Sequence, residues 1–151
     1  MGRGADPVVS ELDISPLLPG EAEAAVALWE EAGLTRPWND PRADIRLALA
    51  GPASTVLAGR IDGGLVATAM VGWDGHRGWL YYLAVAKTER RRGYGARMAR
   101  AAEDWLGAHQ APKIQLLIRA ENQAVIAFYE ALGYLRSDSA MLQRVLPREP
   151  R

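Results

Sequence analysis

Residues 83–96 read LAVAKTERRRGYGA, an apolar run followed by three arginines, two nearby glycines and the start of a helical pattern. The first backbone N–H groups of a helix have no partner inside it, and the helix dipole makes that end positive. Gly93 and Gly95 would let an anion approach the backbone closely, while the preceding arginines add positive potential. The stretch therefore predicts a strand, an anion-binding turn and a helix.

Other phosphate-binding motifs do not match this turn. A dinucleotide fingerprint needs a third glycine at the position of Met98, and a nucleoside-triphosphate loop needs Gly-Lys-Ser or Gly-Lys-Thr, which the sequence lacks. Taken alone, the pattern also fits a basic helix start whose glycines only make a tight turn. The identity of the anion therefore depends on the rest of the chain.

Hydrophobic periodicity predicts the elements on both sides of this turn. Before it we expect a strand at 12–17, a helix on Ala25, Leu28, Trp29 and Ala32, a helix at 41–50 on Ile45, Leu47 and Leu49, and strands at 55–58, 65–73 and 79–85. The Asp62-Gly63 turn and residues 74–78 would join these three strands into an antiparallel meander. After it we expect a helix at 93–106, a strand at 114–118, a helix from Asn122 to Gly133 and a strand at 142–146.

The alternation in the second half predicts an α/β (α+β) fold. We expect one domain over residues 11–147 with a mixed, mostly antiparallel sheet of about six or seven strands flanked by about four helices. Residues 1–10 are predicted to be a flexible tail.

Composition narrows the class of protein. The 151-residue chain has no cysteine, two histidines and a formal net charge of zero. These counts exclude disulfides and a cysteine nucleophile, and they argue against a metal site and a nucleic-acid-binding surface. No apolar stretch is long enough for a membrane span, so we expect a cytoplasmic protein.

Two motifs together resemble a known family. Residues 90–95 are similar to the Arg/Gln-x-x-Gly-x-Gly/Ala motif of the GNAT superfamily of acetyl-coenzyme A-dependent N-acetyltransferases. Residues 122–134, NQAVIAFYEALGY, resemble its Asn-x-x-Ala-x-x-Phe-Tyr-x-x-x-Gly-Phe motif, with Val125 and Tyr134 as conservative departures. Segments 36–41, 74–78 and 81–83 further resemble the YpeA-like bacterial group of this superfamily.

The resemblance implies a GNAT fold and transfer of acetyl from acetyl-coenzyme A to a primary amine by direct attack in a ternary complex, without a metal. The amine would belong to a small molecule or a protein N-terminus. Tyr129 would protonate the leaving thiolate, and Asn122 would be both a helix N-cap and a cofactor contact. The implied cofactor-binding residues are Leu83, Ala84, Val85, Arg90, Arg91, Arg92, Gly93, Tyr94, Gly95, Ala96, Asn122 and Tyr129.

The acceptor site and the general base stay open. Substrate contacts are expected from Trp38, Asn39, Asp74, His76 and Tyr81. Tyr81 and Tyr82 are adjacent in a strand and should face opposite ways, so at most one would point into the cleft. Asp74, His76, Glu121 or a water chain are alternatives for the base.

Other functions also remain open from the sequence. The protein could transfer a longer acyl group, or bind acyl-coenzyme A as a non-catalytic sensor or partner module. Pairing of edge strands between chains would make a homodimer.

Overall fold

The computed structural model describes residues 11–147, so the predicted tail at 1–10 lies outside the described residues. The chain divides after Leu116 into two compact units. Across residues 11–147, every helix is too short or too polar to traverse a lipid bilayer.

The described residues of the first unit form one five-stranded sheet, three α-helices and two short 3-10 helices. Its elements are β1 (Asp13–Pro16), α1 (Ala22–Glu31), α2 (Pro41–Ala50), β2 (Ser54–Ile61), β3 (Gly64–Trp73), β4 (Gly78–Val85), α3 (Tyr94–Ala108) and β5 (Ile114–Gln115). Strand order follows chain order, with antiparallel pairing from β1 to β4 and a parallel β4–β5 pair. The predicted meander and the mixed α/β sheet are confirmed.

Local signals account for the ends of several elements. Pro41 is the first residue of α2, and the Asp40 side chain accepts a hydrogen bond from the Ala43 N–H at 3.1 Å. The β2–β3 turn has φ values of 51° at Asp62 and 81° at Gly63, as a two-residue hairpin requires. Both predictions are therefore confirmed.

The inner face of α2 differs from the predicted one. Ala43, Ile45 and Ala48 are buried, whereas Leu47 is exposed. Residues two positions apart lie on nearly opposite sides of a helix, so Ile45 and Leu47 cannot share a buried stripe. Including Leu47 in that stripe was wrong.

Helix α3 packs closely against the sheet and runs back along β4. A Cβ at Gly78, the first residue of β4, would lie 2.5 Å from Cδ1 of Leu106, near the end of α3. Because only eight residues separate Val85 from Tyr94, the start of α3 follows shortly after the last residue of β4. The arginine-rich turn therefore connects the last residues of β4 to the start of α3.

The second unit contains α4 (Gln123–Ala131). Asn122 precedes it and accepts a hydrogen bond from the Val125 N–H at 3.3 Å, while Gly133, with φ of 95°, follows its end. The predicted cap and the predicted stop are confirmed.

The sheet is smaller than expected. The predicted strand at 114–118 shortens to Ile114–Gln115, and none forms at 142–146, so the described residues contain five strands. Leu142 and Val145 are 92% and 95% exposed. The apolar residues of this segment are spaced 142, 145 and 146, which does not place them on one face of a strand. The prediction of a last strand was wrong.

Candidate active site

Strand β4 contains a β-bulge near its end. Thr68 of β3 pairs with Ala84, and Met70 pairs with Tyr81, so Tyr82 and Leu83 lie opposite the single residue Ala69. Tyr82 has a φ of 50°, in the left-handed region that bulky residues rarely adopt. Such a backbone costs about 1–3 kcal/mol and persists only where its surroundings hold it.

Two fully buried side chains hold Tyr82 in this conformation. The indole of Trp29 stacks on the Tyr82 ring, with centroids 3.8 Å apart and planes at 8°. Trp29 Nε1 donates to Thr68 Oγ1 at 2.7 Å, and Thr68 Oγ1 donates to the Tyr82 carbonyl oxygen at 2.8 Å. Trp29 and Thr68 are both 0% exposed. The bulge is therefore tied to α1 and β3 through one hydrogen-bonded pair.

The last part of β4 has a free edge. Its pairing with β5 comprises only Gly78 with Ile114 and Trp79 with Gln115. Among the described residues, no other strand pairs with β4 on that side. Leu83, Ala84 and Val85, three of the predicted cofactor contacts, belong to this unpaired part.

The arginine-rich turn leaves a series of backbone donors unused. Arg91 and Gly93 have φ values of 67° and 77°, and the first bond of α3 joins the Arg97 N–H to the Gly93 carbonyl at 3.2 Å. Within residues 11–147, no N–H group from Arg91 to Ala96 donates a hydrogen bond. The predicted order of strand, turn and helix is confirmed, and the start of α3 has the free donors that an anion needs.

The three arginines of the turn differ in their contacts. Arg90 Nε donates to the Val85 carbonyl at 3.2 Å, and Arg92 pairs with Glu89 at 3.2 Å. Arg91 is exposed and has no side-chain partner among the described residues. Arg91 is therefore the arginine of the turn whose guanidinium has no protein contact among the described residues.

A cleft of about 430 Å³, here called the β4 cleft, lies beside the bulge. It is lined by Leu34, Asn39, Asp44, Met70, Tyr81 and Tyr82. The expectation that at most one of the two tyrosines faces a cleft was wrong, because the bulge interrupts the alternation of side chains. Burial raises the pKa of both tyrosines, and the pKa of Tyr82 is raised further by Asp44.

Asp44 was missing from the predicted site. Its carboxylate accepts a hydrogen bond from the Tyr82 hydroxyl at 2.9 Å. In the sequence it is one of three charged residues on α2, and no motif singles it out.

Three of the five predicted acceptor contacts, Trp38, Asp74 and His76, do not line the β4 cleft. Trp38 is 72% exposed and does not line the β4 cleft, whereas the neighbouring Asn39 does. Asp74 accepts hydrogen bonds from the N–H groups of His76 and Arg77 and from Trp79 Nε1, and the backbone bonds lower its pKa to about 2. His76 is exposed in this turn. Asp74 thus stabilises the β3–β4 turn.

The second unit carries the two remaining predicted residues. Tyr129 is buried, its ring meets those of Phe128 and Tyr134 edge-on at 4.9 and 5.3 Å, and burial raises its pKa. A raised pKa keeps the phenol protonated throughout the neutral range. Asn122 is exposed beside the start of α4, as is Glu121.

Among the described residues, no three His, Asp or Glu side chains lie together as a set of metal ligands.

Comparison with known proteins identifies the family. Residues 23–134 match the sequence model of the Acetyltransferase (GNAT) family. An acetyltransferase of Yersinia enterocolitica is 37% identical over 135 residues, which cover 89% of this chain and 96% of that one. The chain therefore belongs to the GNAT family and is an acetyltransferase.

Solved structures show the same fold at low sequence identity. An aminoglycoside N-acetyltransferase in complex with CoA has a TM-score of 0.79 at 18% identity, covering 93% of this chain and 98% of that one. A ribosomal-protein-alanine N-acetyltransferase of Brucella melitensis has a TM-score of 0.70 at 20% identity, covering 89% and 99%. The names of these two proteins indicate different acceptors, so the shared fold does not define the acceptor.

Proposed function

We propose that this enzyme transfers acetyl from acetyl-coenzyme A to a primary amine by direct attack in a ternary complex. The observation that carries the proposal is the set of free N–H groups from Arg91 to Ala96 at the start of α3, directly after a bulged strand with an open edge. These donors and the helix dipole suit a pyrophosphate, which coenzyme A carries between its pantetheine arm and its nucleotide.

The donor is proposed to lie along the end of β4 and the start of α3. The backbone of Leu83, Ala84 and Val85 would bind the pantetheine arm, and Gly93, Tyr94, Gly95 and Ala96 would offer their N–H groups to the pyrophosphate. Arg91 adds an uncommitted positive charge, while Arg90 and Arg92 shape the turn through Val85 and Glu89. An aminoglycoside N-acetyltransferase of the same fold is in complex with CoA, which supports coenzyme A as the donor.

Acetyl transfer then requires two protein contributions, a donor that polarises the carbonyl and an acid that protonates the thiolate. The neutral amine attacks the thioester carbonyl carbon, a C–N bond forms and the C–S bond breaks. A backbone N–H near Leu83 or Ala84 would polarise the carbonyl, and Tyr129 would donate its proton to the departing thiolate. Water would carry the proton that the attacking nitrogen loses to the Tyr129 phenolate, which restores the phenol. Asp74 is a poor base for this proton, because its pKa is about 2.

The β4 cleft is the proposed acceptor site. It lies beside the bulge, where the thioester carbonyl would be bound, and Asn39 and Tyr81 belong to its lining. Its volume of about 430 Å³ suits a small-molecule amine or the first residues of a protein N-terminus.

Release of free thiol from acetyl-coenzyme A across a library of amines tests the proposal. We expect turnover with at least one class of primary amine. Replacement Tyr129→Phe should lower kcat about 10²- to 10⁴-fold, the usual contribution of a general acid, while acetyl-coenzyme A still binds. Binding of acetyl-coenzyme A with no turnover by any amine would instead indicate an acyl-coenzyme A sensor.

A further inference from the structure

The lining of the β4 cleft contains one ionisable carboxylate and no basic side chain among its described residues. We infer that this cleft binds a second, positively charged group of the acceptor, so that the enzyme acetylates diamines and polyamines in preference to monoamines. The inference rests on the proposed function, because it assigns the class of amine that this same site accepts.

Asp44 has the unused capacity that a cation needs. It is half-buried on α2, and its Oδ2 accepts the hydrogen bond from the Tyr82 hydroxyl. Among residues 11–147, no group donates a hydrogen bond to its Oδ1 and no basic side chain forms an ion pair with it. A partly desolvated carboxylate with a free oxygen favours a charge-assisted hydrogen bond from an ammonium group.

The neighbouring groups are compatible with a cation. Tyr81 is partly exposed and presents an aromatic ring to the cleft, which attracts an ammonium, and the Asn39 side chain carries a further acceptor oxygen. Among the described residues, no arginine or lysine lines this cleft, and Arg42, the arginine that precedes Asp44 on α2, pairs with Glu23.

Tyr82 relates the two ends of the proposed acceptor. Its backbone forms the bulge next to Leu83, where the thioester carbonyl would be bound, and its hydroxyl reaches Asp44. A cation held by Asp44 therefore lies about one tyrosine side chain away from the bulge. A diamine of similar length can place one neutral nitrogen at the carbonyl while its other nitrogen remains an ammonium at Asp44.

The test compares cadaverine with n-hexylamine, which has a methyl group where cadaverine has its second ammonium. Initial rates of thiol release give kcat/KM for both amines in the wild type and in Asp44→Asn. Asparagine still accepts the hydrogen bond from the Tyr82 hydroxyl but removes the charge. Asp104→Asn, an exposed carboxylate on α3 outside the cleft, is the matched control.

We expect the wild type to prefer cadaverine and the cadaverine-to-hexylamine ratio of kcat/KM to fall about 10- to 100-fold in Asp44→Asn, with no change in Asp104→Asn. If Asp44 has a purely structural role, the substitution lowers kcat/KM equally for both amines and leaves their ratio unchanged. That result overturns the inference. If the wild type acetylates neither amine, the proposed acetyl transfer does not occur with these two substrates. Calorimetric titration with cadaverine then tests the inference independently of activity. Binding that is lost in Asp44→Asn supports it, whereas equal binding or no binding overturns it.

Discussion

Replacing Thr68 with valine should separate the conformation of the bulge from the rest of the fold. Thr68 Oγ1 accepts from Trp29 Nε1 and donates to the Tyr82 carbonyl, and both Trp29 and Thr68 are fully buried. Thr68→Val keeps the shape of the side chain and leaves this indole N–H and this carbonyl without partners. An unpaired buried polar group costs about 1–3 kcal/mol, so the two together cost about 2–6 kcal/mol.

Part of this loss can be recovered by relaxation of the backbone. The left-handed conformation of Tyr82, with φ of 50°, stores about 1–3 kcal/mol. If Tyr82 relaxes once its carbonyl is released, the net loss in the free energy of unfolding falls to about 1–3 kcal/mol, but the bulge is lost. The expected result is therefore a moderate loss of stability together with a large loss of kcat.

Urea denaturation followed by tryptophan fluorescence measures the first effect, and thiol release measures the second. A chain of this length should lose about 2–4 °C in Tm for each kcal/mol. Thr68→Ser is the control, because it keeps the hydroxyl and both hydrogen bonds. A Thr68→Val variant within about 0.5 kcal/mol of the wild type and with an unchanged kcat would refute the role of this hydrogen-bonded pair.

Two further predictions concern stability. Gly78→Ala should lower the free energy of unfolding by about 1–3 kcal/mol, because the new Cβ would lie 2.5 Å from the Leu106 side chain of α3. Gly107→Ala is the control: an added Cβ there meets no atom within 4 Å, so thermal denaturation should show a neutral or stabilising effect. The hydrogen bonds from Arg60 lower the pKa of Glu21 in the folded protein. The Glu21–Arg60 pair therefore contributes fully to the free energy of unfolding above the unfolded-state pKa of about 4.3, and this contribution is lost as the pH falls through the lower folded-state pKa. In urea titrations at several pH values, the free energy of unfolding of Glu21→Gln should fall less on acidification than that of the wild type. Glu23→Gln, which removes an exposed ion pair, should change this pH dependence less. Equal pH dependence of the two variants would contradict the role of the Glu21–Arg60 pair.

Features that depend on neighbouring residues were predictable from the sequence. The start of α2 at Pro41, the cap of α4 at Asn122 and the hairpin at Asp62-Gly63 all follow from interactions within three or four residues. The free donors at the start of α3 belong to the same class, because every helix leaves its first N–H groups without internal partners. Fold class and the local structure of the proposed pyrophosphate site could therefore be predicted before the structure.

The size of the sheet was less predictable. An apolar segment becomes a strand only where another strand offers hydrogen bonds, and composition cannot show whether that partner exists. Residues 142–146 were predicted as a strand for this reason, yet their side chains are exposed and the described chain provides no partner strand. For the same reason β5 is shortened to Ile114–Gln115.

The sequence by itself determined the family of the protein and the turn between β4 and α3, because these depend on short motifs and on backbone groups close in the chain. Tertiary structure alone decided the shape of the acceptor cleft. Tyr82 meets Trp29 and Asp44 across 53 and 38 positions of sequence, and the bulge exists because those contacts offset its backbone strain. Contacts between residues so far apart have no local signature, and they bring both tyrosines and Asp44 to one cleft.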